Sequence, residues 1–269
     1  MVKYIIFTIG IIILTVAGYY SYYSYSLANL KVQPFLIYYG GVDNNASASQ
    51  LNPIISAFKK YPIVIFGSSI HFPSAAGKIR KALPQTILYG YANTDNVTWD
   101  HIKQRLELLS SMKFNGVLFD SVGAGWSADP NNVKTAVSYA HSLGLRVIIN
   151  DWNPDTAMNV GLIPGEDGYS AENWVFSAGE WQSHPLPASS YAGLYSLEKQ
   201  GIKVFMIVTM KNDNFTESQI LPPVTKTIEM EKGNYISVSD QYYSAQSDAI
   251  FPAGGLRRAI YNSLKNLHY

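Results

Sequence analysis

Short apolar runs alternate with stretches of helical spacing along most of the chain. Eight runs read as buried strands: Pro34–Tyr39, Ile63–Phe66, Thr86–Tyr91, Gly116–Phe119, Arg146–Asn150, Gly168–Ala171, Lys203–Thr209 and Tyr235–Ser239. Most are continuous branched or aromatic runs rather than alternating ones, as expected of strands covered on both faces in a parallel sheet. Between them Leu51, Ile54, Ile55 and Phe58 recur at the spacing of one helix face. Ile102, Leu106, Leu109 and Met112 form a second stripe, Val133, Val137 and Ala140 a third, and Leu256, Ile260, Leu264 and Leu267 a last one. Asp129-Pro130 has the form of an N-cap followed by proline at the first helical position. Gly144 and Gly201 stand where a helix should end before the next strand. The pattern predicts an α/β chain folded as a (β/α)8 TIM barrel over residues 31–269. An open doubly wound sheet is the competing architecture, and no dinucleotide fingerprint supports it.

The first thirty residues follow a different pattern. After Lys3 no charge appears until Lys31, and a tyrosine-rich stretch occupies 19–25. Residues 1–30 read as a signal peptide or membrane anchor, with the tyrosines as an interfacial belt. The expectation is an extracellular or cell-surface protein that meets a membrane through this segment. Sequons at Asn45, Asn96 and Asn214 agree with export.

Composition narrows the chemistry. The 269 residues carry a net charge of +1, so no overall field attracts nucleic acid. The absence of cysteine excludes disulfides, thiolate catalysis and cysteine-held metals. Five scattered histidines form no HExxH pair, and neither a metal nor an organic cofactor is expected. A monomer is expected.

A parallel barrel carries its active site at the carboxyl ends of its strands. Those ends bring Asp120, Glu172, Asn150, Asp151, Trp152, Tyr38, Asp43, Tyr91, Asn93 and Asp240, with Trp126 and Trp174 nearby. Carboxylates and amides bind hydroxyls, and indoles stack on the apolar faces of sugars. Asp120 and Glu172 are the candidate catalytic pair, because each directly follows an apolar strand and hydrolysis of a glycosidic bond uses two carboxyl groups. The other ten residues are candidate substrate contacts. Gly254-Gly255 before Arg257 and Arg258 could open a phosphate-binding helix, although a loop into an amphipathic helix explains them as well.

The runs FNGVLFD ending at Asp120, DGYSAE ending at Glu172 and GLRVIIN ending at Asn150 resemble strand motifs of the endo-α-1,4-polygalactosaminidase and spherulin-4-like glycoside hydrolases. The resemblance implies a TIM-barrel glycoside hydrolase cleaving an α-linked, possibly amino-sugar, polysaccharide outside the cell. Asp120 would be its nucleophile and Glu172 its general acid/base. The alternative is an extracellular barrel that binds carbohydrate without cleaving it. A third reading is a phosphate-dependent barrel enzyme using residues 252–258.

Overall fold

Strands of Ile, Val and Phe on both faces need cover on both sides. The chain supplies it by curling a parallel sheet inside a ring of helices. The structure, a computed structural model, describes residues 31–183, 187–212, 215–240 and 253–267. Their elements are β1 (Gln33–Pro34), β2 (Leu36–Tyr38), α1 (Ala48–Phe58), β3 (Ile63–Phe66), α2 (Pro73–Ala82), β4 (Ile87–Asn93), α3 (Trp99–Ser111), β5 (Gly116–Asp120), α4 (Pro130–Ser142) and β6 (Arg146–Asn150). There follow α5 (Pro154–Met158), β7 (Gly168–Glu172), β8 (Phe176–Ser177), β9 (Glu180–Trp181), α6 (Ala188–Lys199), β10 (Lys203–Met210), α7 (Glu217–Glu231), β11 (Tyr235–Asp240) and α8 (Ala253–Asn266).

The main sheet runs β1-β11-β10-β7-β6-β5-β4-β3-β2, and every ladder in it is parallel. Its two ends are halves of a single run. β1 pairs with β11 and β2 pairs with β3, so residues 33–38 bridge the gap and the sheet is nearly closed. The expected barrel is present, with its first strand broken at Phe35. Pro34 lacks a ladder donor there, and the Phe35 N–H reaches Ile236 O at 3.1 Å. The β8–β9 hairpin is an addition that the strand pattern did not predict.

Alternation sorts each strand's side chains between two cores. Phe35, Ile37, Ile65, Tyr89, Leu118, Ile148 and Phe205 fill the barrel, while Val64, Phe66, Val117, Phe119 and Ile149 pack outward against the helices. Inside, Phe205 meets Phe35 edge-on at 5.2 Å and Tyr89 at 6.4 Å. Glycine makes room for these rings: a Cβ at Gly116 would lie 2.4 Å from Tyr89, and one at Gly168 would lie 2.4 Å from Phe205.

The helix boundaries follow local chemistry. Asp129 accepts the Asn131 N–H at 2.9 Å and starts α4, whose buried stripe is Val133, Ala136, Val137 and Ala140. Gly144, at φ +75°, releases the chain toward β6. Replacing Asp129 with alanine should cost about 1 kcal/mol of stability, measured by urea denaturation, because one N-terminal donor of α4 loses its acceptor. An unchanged midpoint would contradict that assignment.

The expectation of a membrane-anchored extracellular protein is corrected. The segment 1–30 on which it rested lies outside the described residues. Among the described residues no helix is long and apolar enough to cross a membrane.

Candidate active site

Three neighbouring strands, β5, β6 and β7, end in polar residues at the mouth of the barrel: Asp120, Asn150 and Glu172. The interior-facing phase of each strand brings those last side chains together. The Asn150 amide nitrogen donates to Asp120 Oδ1 at 2.8 Å and to Glu172 Oε2 at 2.5 Å. One amide therefore bridges the two carboxyl groups. Tyr91, on β4, donates from its hydroxyl to Asp120 Oδ2 at 2.6 Å, and the Ser121 N–H donates to Oδ1 at 2.8 Å. Asp120 is thus fixed by three donors. Glu172 Oε1 has a longer contact, 3.4 Å, from the Asn173 amide.

The backbone after β5 is shaped around this cluster. Ser121 and Gly123 take φ of +58° and +90°, which turns the chain back across the mouth. The Val122 N–H then bonds Asn150 O at 3.2 Å, and the Ser127 hydroxyl accepts the Gly123 N–H at 3.1 Å. A cavity of about 230 Å³ opens here, lined by Asp120, Ser121, Val122, Asn150, Asp151, Trp152, Glu172 and Trp174. Among the described residues the lining holds three carboxyl groups and no lysine, arginine or histidine. Trp174 is buried edge-on against Tyr169 and Tyr191, whereas the Trp152 indole is 66% exposed.

Two phenols close the barrel side of the site. Tyr39 packs on Tyr91 at 5.2 Å and covers Gly67, where a Cβ would fall 1.8 Å from its ring. Burial, reinforced by the Asp120, Tyr91 and Glu172 charges, pushes the Tyr39 hydroxyl well above its ordinary range. Tyr91 is raised by burial and then by its bond to Asp120. Both therefore stay protonated donors at neutral pH. Tyr39 was missed in the sequence because two adjacent tyrosines give no clue to which one faces inward.

Other expected contacts lie elsewhere. Tyr38 points outward, buried against Phe58 and Phe66 at 5.3 and 5.9 Å, because strand alternation sends it opposite to Tyr39. Trp126 stacks on Trp99 at 6.0 Å in the helical layer, an apolar ring covering apolar surface. Asp43 is exposed and accepts the Asn45 N–H at 2.8 Å, a turn role. Asn93 makes the equivalent bond to the Asp95 N–H. Asp240 is buried at the end of β11 with the Ser239 hydroxyl 3.3 Å away, outside the lining of the cavity. Pro252 and the backbone before α8 lie outside the described residues, and Arg258 bonds Glu217 at 2.8 Å. Among the described residues no group of three or more metal-ligating side chains is arranged to hold a metal.

No protein-family model matches the chain, and no curated protein matches its sequence. Solved structures do match its fold. A 3-keto-L-gulonate-6-phosphate decarboxylase from Vibrio cholerae is 12% identical, with 86% of this chain and 98% of that one covered at a TM-score of 0.55. A D-psicose 3-epimerase with D-tagatose from Clostridium cellulolyticum is 8% identical over 88% and 99%, at 0.51. A 3-hexulose-6-phosphate synthase is 15% identical over 84% and 99%, at 0.50. At these identities the common property is the barrel.

These findings overturn the resemblance to polygalactosaminidases and spherulin-4-like proteins, and with it the extracellular polysaccharide hydrolase; its inactive carbohydrate-binding alternative is no better supported. The physical reason is that an apolar strand ending in a polar residue is what any parallel barrel requires at its mouth. Such a motif therefore reports the fold rather than a family. The chain has a TIM-barrel-like fold of a kind that enzymes use.

Proposed function

We propose that this barrel is an acid–base enzyme that moves a proton next to the carbonyl of a small, unphosphorylated polyhydroxylated substrate. The reading rests on one observation: the Asn150 amide joins Asp120 and Glu172 within a cavity of about 230 Å³. Such a cavity has room only for a small ligand, since it falls below the usual ~300–1,000 Å³ range. Its carboxyl groups suit hydroxyls, and among the described residues the lining has no cation to neutralise a phosphate. That favours the chemistry of an unphosphorylated sugar, such as the ketose named with the epimerase, over the phosphosugars of the decarboxylase and synthase.

Glu172 is the base that takes the carbon-bound proton, since Asp120 is already occupied by three donors. Asp120 is a positioning residue that holds the Asn150 amide, and through it Glu172. Trp152 offers its exposed face to the ligand.

The test is proton exchange in heavy water, followed by NMR over a panel of unphosphorylated and phosphorylated aldoses and ketoses. Deuterium should enter at the carbon beside the carbonyl of an unphosphorylated sugar, and Glu172→Gln should abolish it. Failure of every sugar to exchange, or undiminished exchange by that variant, would overturn the proposal.

A further inference from the structure

Each of the two linked carboxyl groups is followed by a residue in the left-handed region: Ser121 after Asp120, at φ +58°, and Asn173 after Glu172, at φ +59°. Asparagine tolerates that region better than most residues. The first turn brings the Ser121 N–H onto Asp120 at 2.8 Å. The second is anchored by β10. The Asn173 N–H bonds Ile207 O at 3.1 Å, and its side-chain Oδ1 accepts the Thr209 hydroxyl at 2.7 Å. Thr209 is buried near the end of β10, two residues beyond Ile207 and on the same interior-facing phase. Its hydroxyl also accepts the Ala178 N–H at 2.9 Å, which leaves its own proton for Asn173. With Oδ1 committed to that hydroxyl, the amide nitrogen of Asn173 is the end that faces Glu172, 3.4 Å from Oε1. The reverse orientation would set a carbonyl oxygen against the carboxylate and turn the Thr209 proton toward an NH2 group.

We propose that Asn173 is a further positioning residue for Glu172: the Thr209 hydroxyl sets its side-chain amide so that the NH2 end holds the Glu172 carboxylate for the reaction. Asn150 meets Oε2 and is shared with Asp120. Asn173 approaches the other oxygen. An amide donor at each oxygen fixes the plane of the carboxylate and favours its charged form. That form needs the support. Asp120 and Asp151 line the same cavity, and the Tyr39 and Tyr91 phenols feel the Glu172 charge. A neighbouring carboxylate disfavours a second negative charge, so each donor on Glu172 counts for more. Thr209 has a second task at the same place. Its carbonyl accepts the Gly179 N–H at 3.0 Å, so one residue anchors both the amide and the β8–β9 hairpin. Between that hairpin and Glu172 the chain carries Trp174 into the cavity lining.

This assignment rests on the proton-transfer reading, with Glu172 as the base, so one of the two readouts needs no turnover. Asn173→Gly removes the amide and keeps the turn, because glycine adopts a positive φ freely. Thr209→Val removes the hydroxyl, and Thr209→Ser keeps it. The Glu172 carboxyl carbon is followed by carbon-13 NMR across pH in the full chain, with Glu172→Gln identifying its signal. Its titration should move up by roughly half a pH unit in Asn173→Gly and in Thr209→Val, since a donor to the charged form is lost. In the deuterium-exchange assay the acid limb should move with it. The maximal rate should fall about tenfold, while the half-saturating sugar concentration changes little. Thr209→Ser should match the wild type in both readouts. Combining Asn173→Gly with Thr209→Val should lower the rate no further than Asn173→Gly alone, because both remove the same hold.

An unmoved Glu172 titration beside unchanged exchange in Asn173→Gly would overturn the role of Asn173 and leave the proton-transfer reading standing. A slower rate with neither the titration nor the acid limb displaced would mark Asn173 as a structural residue and overturn the proposal as well. A displaced titration with no wild-type exchange on any sugar would overturn the proton-transfer reading and leave Asn173 as a hold on Glu172.

Discussion

Asp167→Ala is expected to cost about 3 kcal/mol or more of stability, because it removes a buried acceptor that several hydrogen-bond donors share. Asp167 is fully buried at the start of β7, at the end of the barrel away from the active site. Its Oδ1 accepts the Val147 N–H at 2.7 Å. Its Oδ2 accepts the Ile163 N–H at 2.7 Å and pairs with His141 Nε2 at 2.8 Å. A single carboxylate thus ties together β6, the loop before β7 and the end of α4. Alanine leaves three donors facing its former position, and a stranded buried donor costs about 1–3 kcal/mol. Urea denaturation should show a lower midpoint with an unchanged slope. A loss under about 1 kcal/mol would mean that water replaces the carboxylate, contrary to the enclosure seen here.

Glu231→Leu should have the opposite sign, raising stability by about 1–3 kcal/mol at neutral pH, because a buried unsatisfied polar group is removed. Glu231 ends α7 and is fully buried, and neither carboxyl oxygen has a hydrogen-bond partner. Thr227, one turn earlier, has an unpartnered buried hydroxyl too, as does Tyr191. Burial pushes the Glu231 carboxyl well above its ordinary value, and its charge in turn raises Tyr169 and Tyr191. The folded state therefore holds this proton more tightly than the unfolded chain. Stability from that difference is complete below the unfolded carboxyl value and is lost as pH rises toward the folded one, at about 1.4 kcal/mol per pH unit. The leucine variant lacks this slope, so its advantage should widen from about pH 5 upward. Denaturation at a series of pH values reads the difference directly, and an advantage independent of pH would refute the buried neutral acid.

Neither residue could be picked out from the pattern. In the sequence Asp167 directly precedes an apolar run and Glu231 stands in a polar one, and neither position marks a buried carboxyl. Whether such a carboxyl ends in water or among buried N–H groups depends on what packs over it. The same holds at the mouth. Asp120 and Glu172 were legible as strand ends, but Asn150 was read as one substrate contact among ten, and its bridging role needs three strands in register. Two of the three donors that hold Asp120 likewise come from other strands, Tyr91 on β4 and Asn150 on β6.

The short family-like motifs misled for a related reason: an apolar strand closed by a carboxylate is the cheapest way to bring a polar group to a barrel mouth. By itself the sequence determined what depends on near neighbours. Branched runs such as Ile63–Phe66 and Arg146–Asn150 could only be buried strands, Asp129-Pro130 could start a helix, and Gly144 could end one. Only the tertiary structure decided which of Tyr38 and Tyr39 faces the cavity. The same is true of the closure of β1 and β2 onto the two sheet edges, and of the Asn150 bridge between the carboxyl groups. Strand phase and stagger set those outcomes, and both are fixed by pairing with strands distant in the chain.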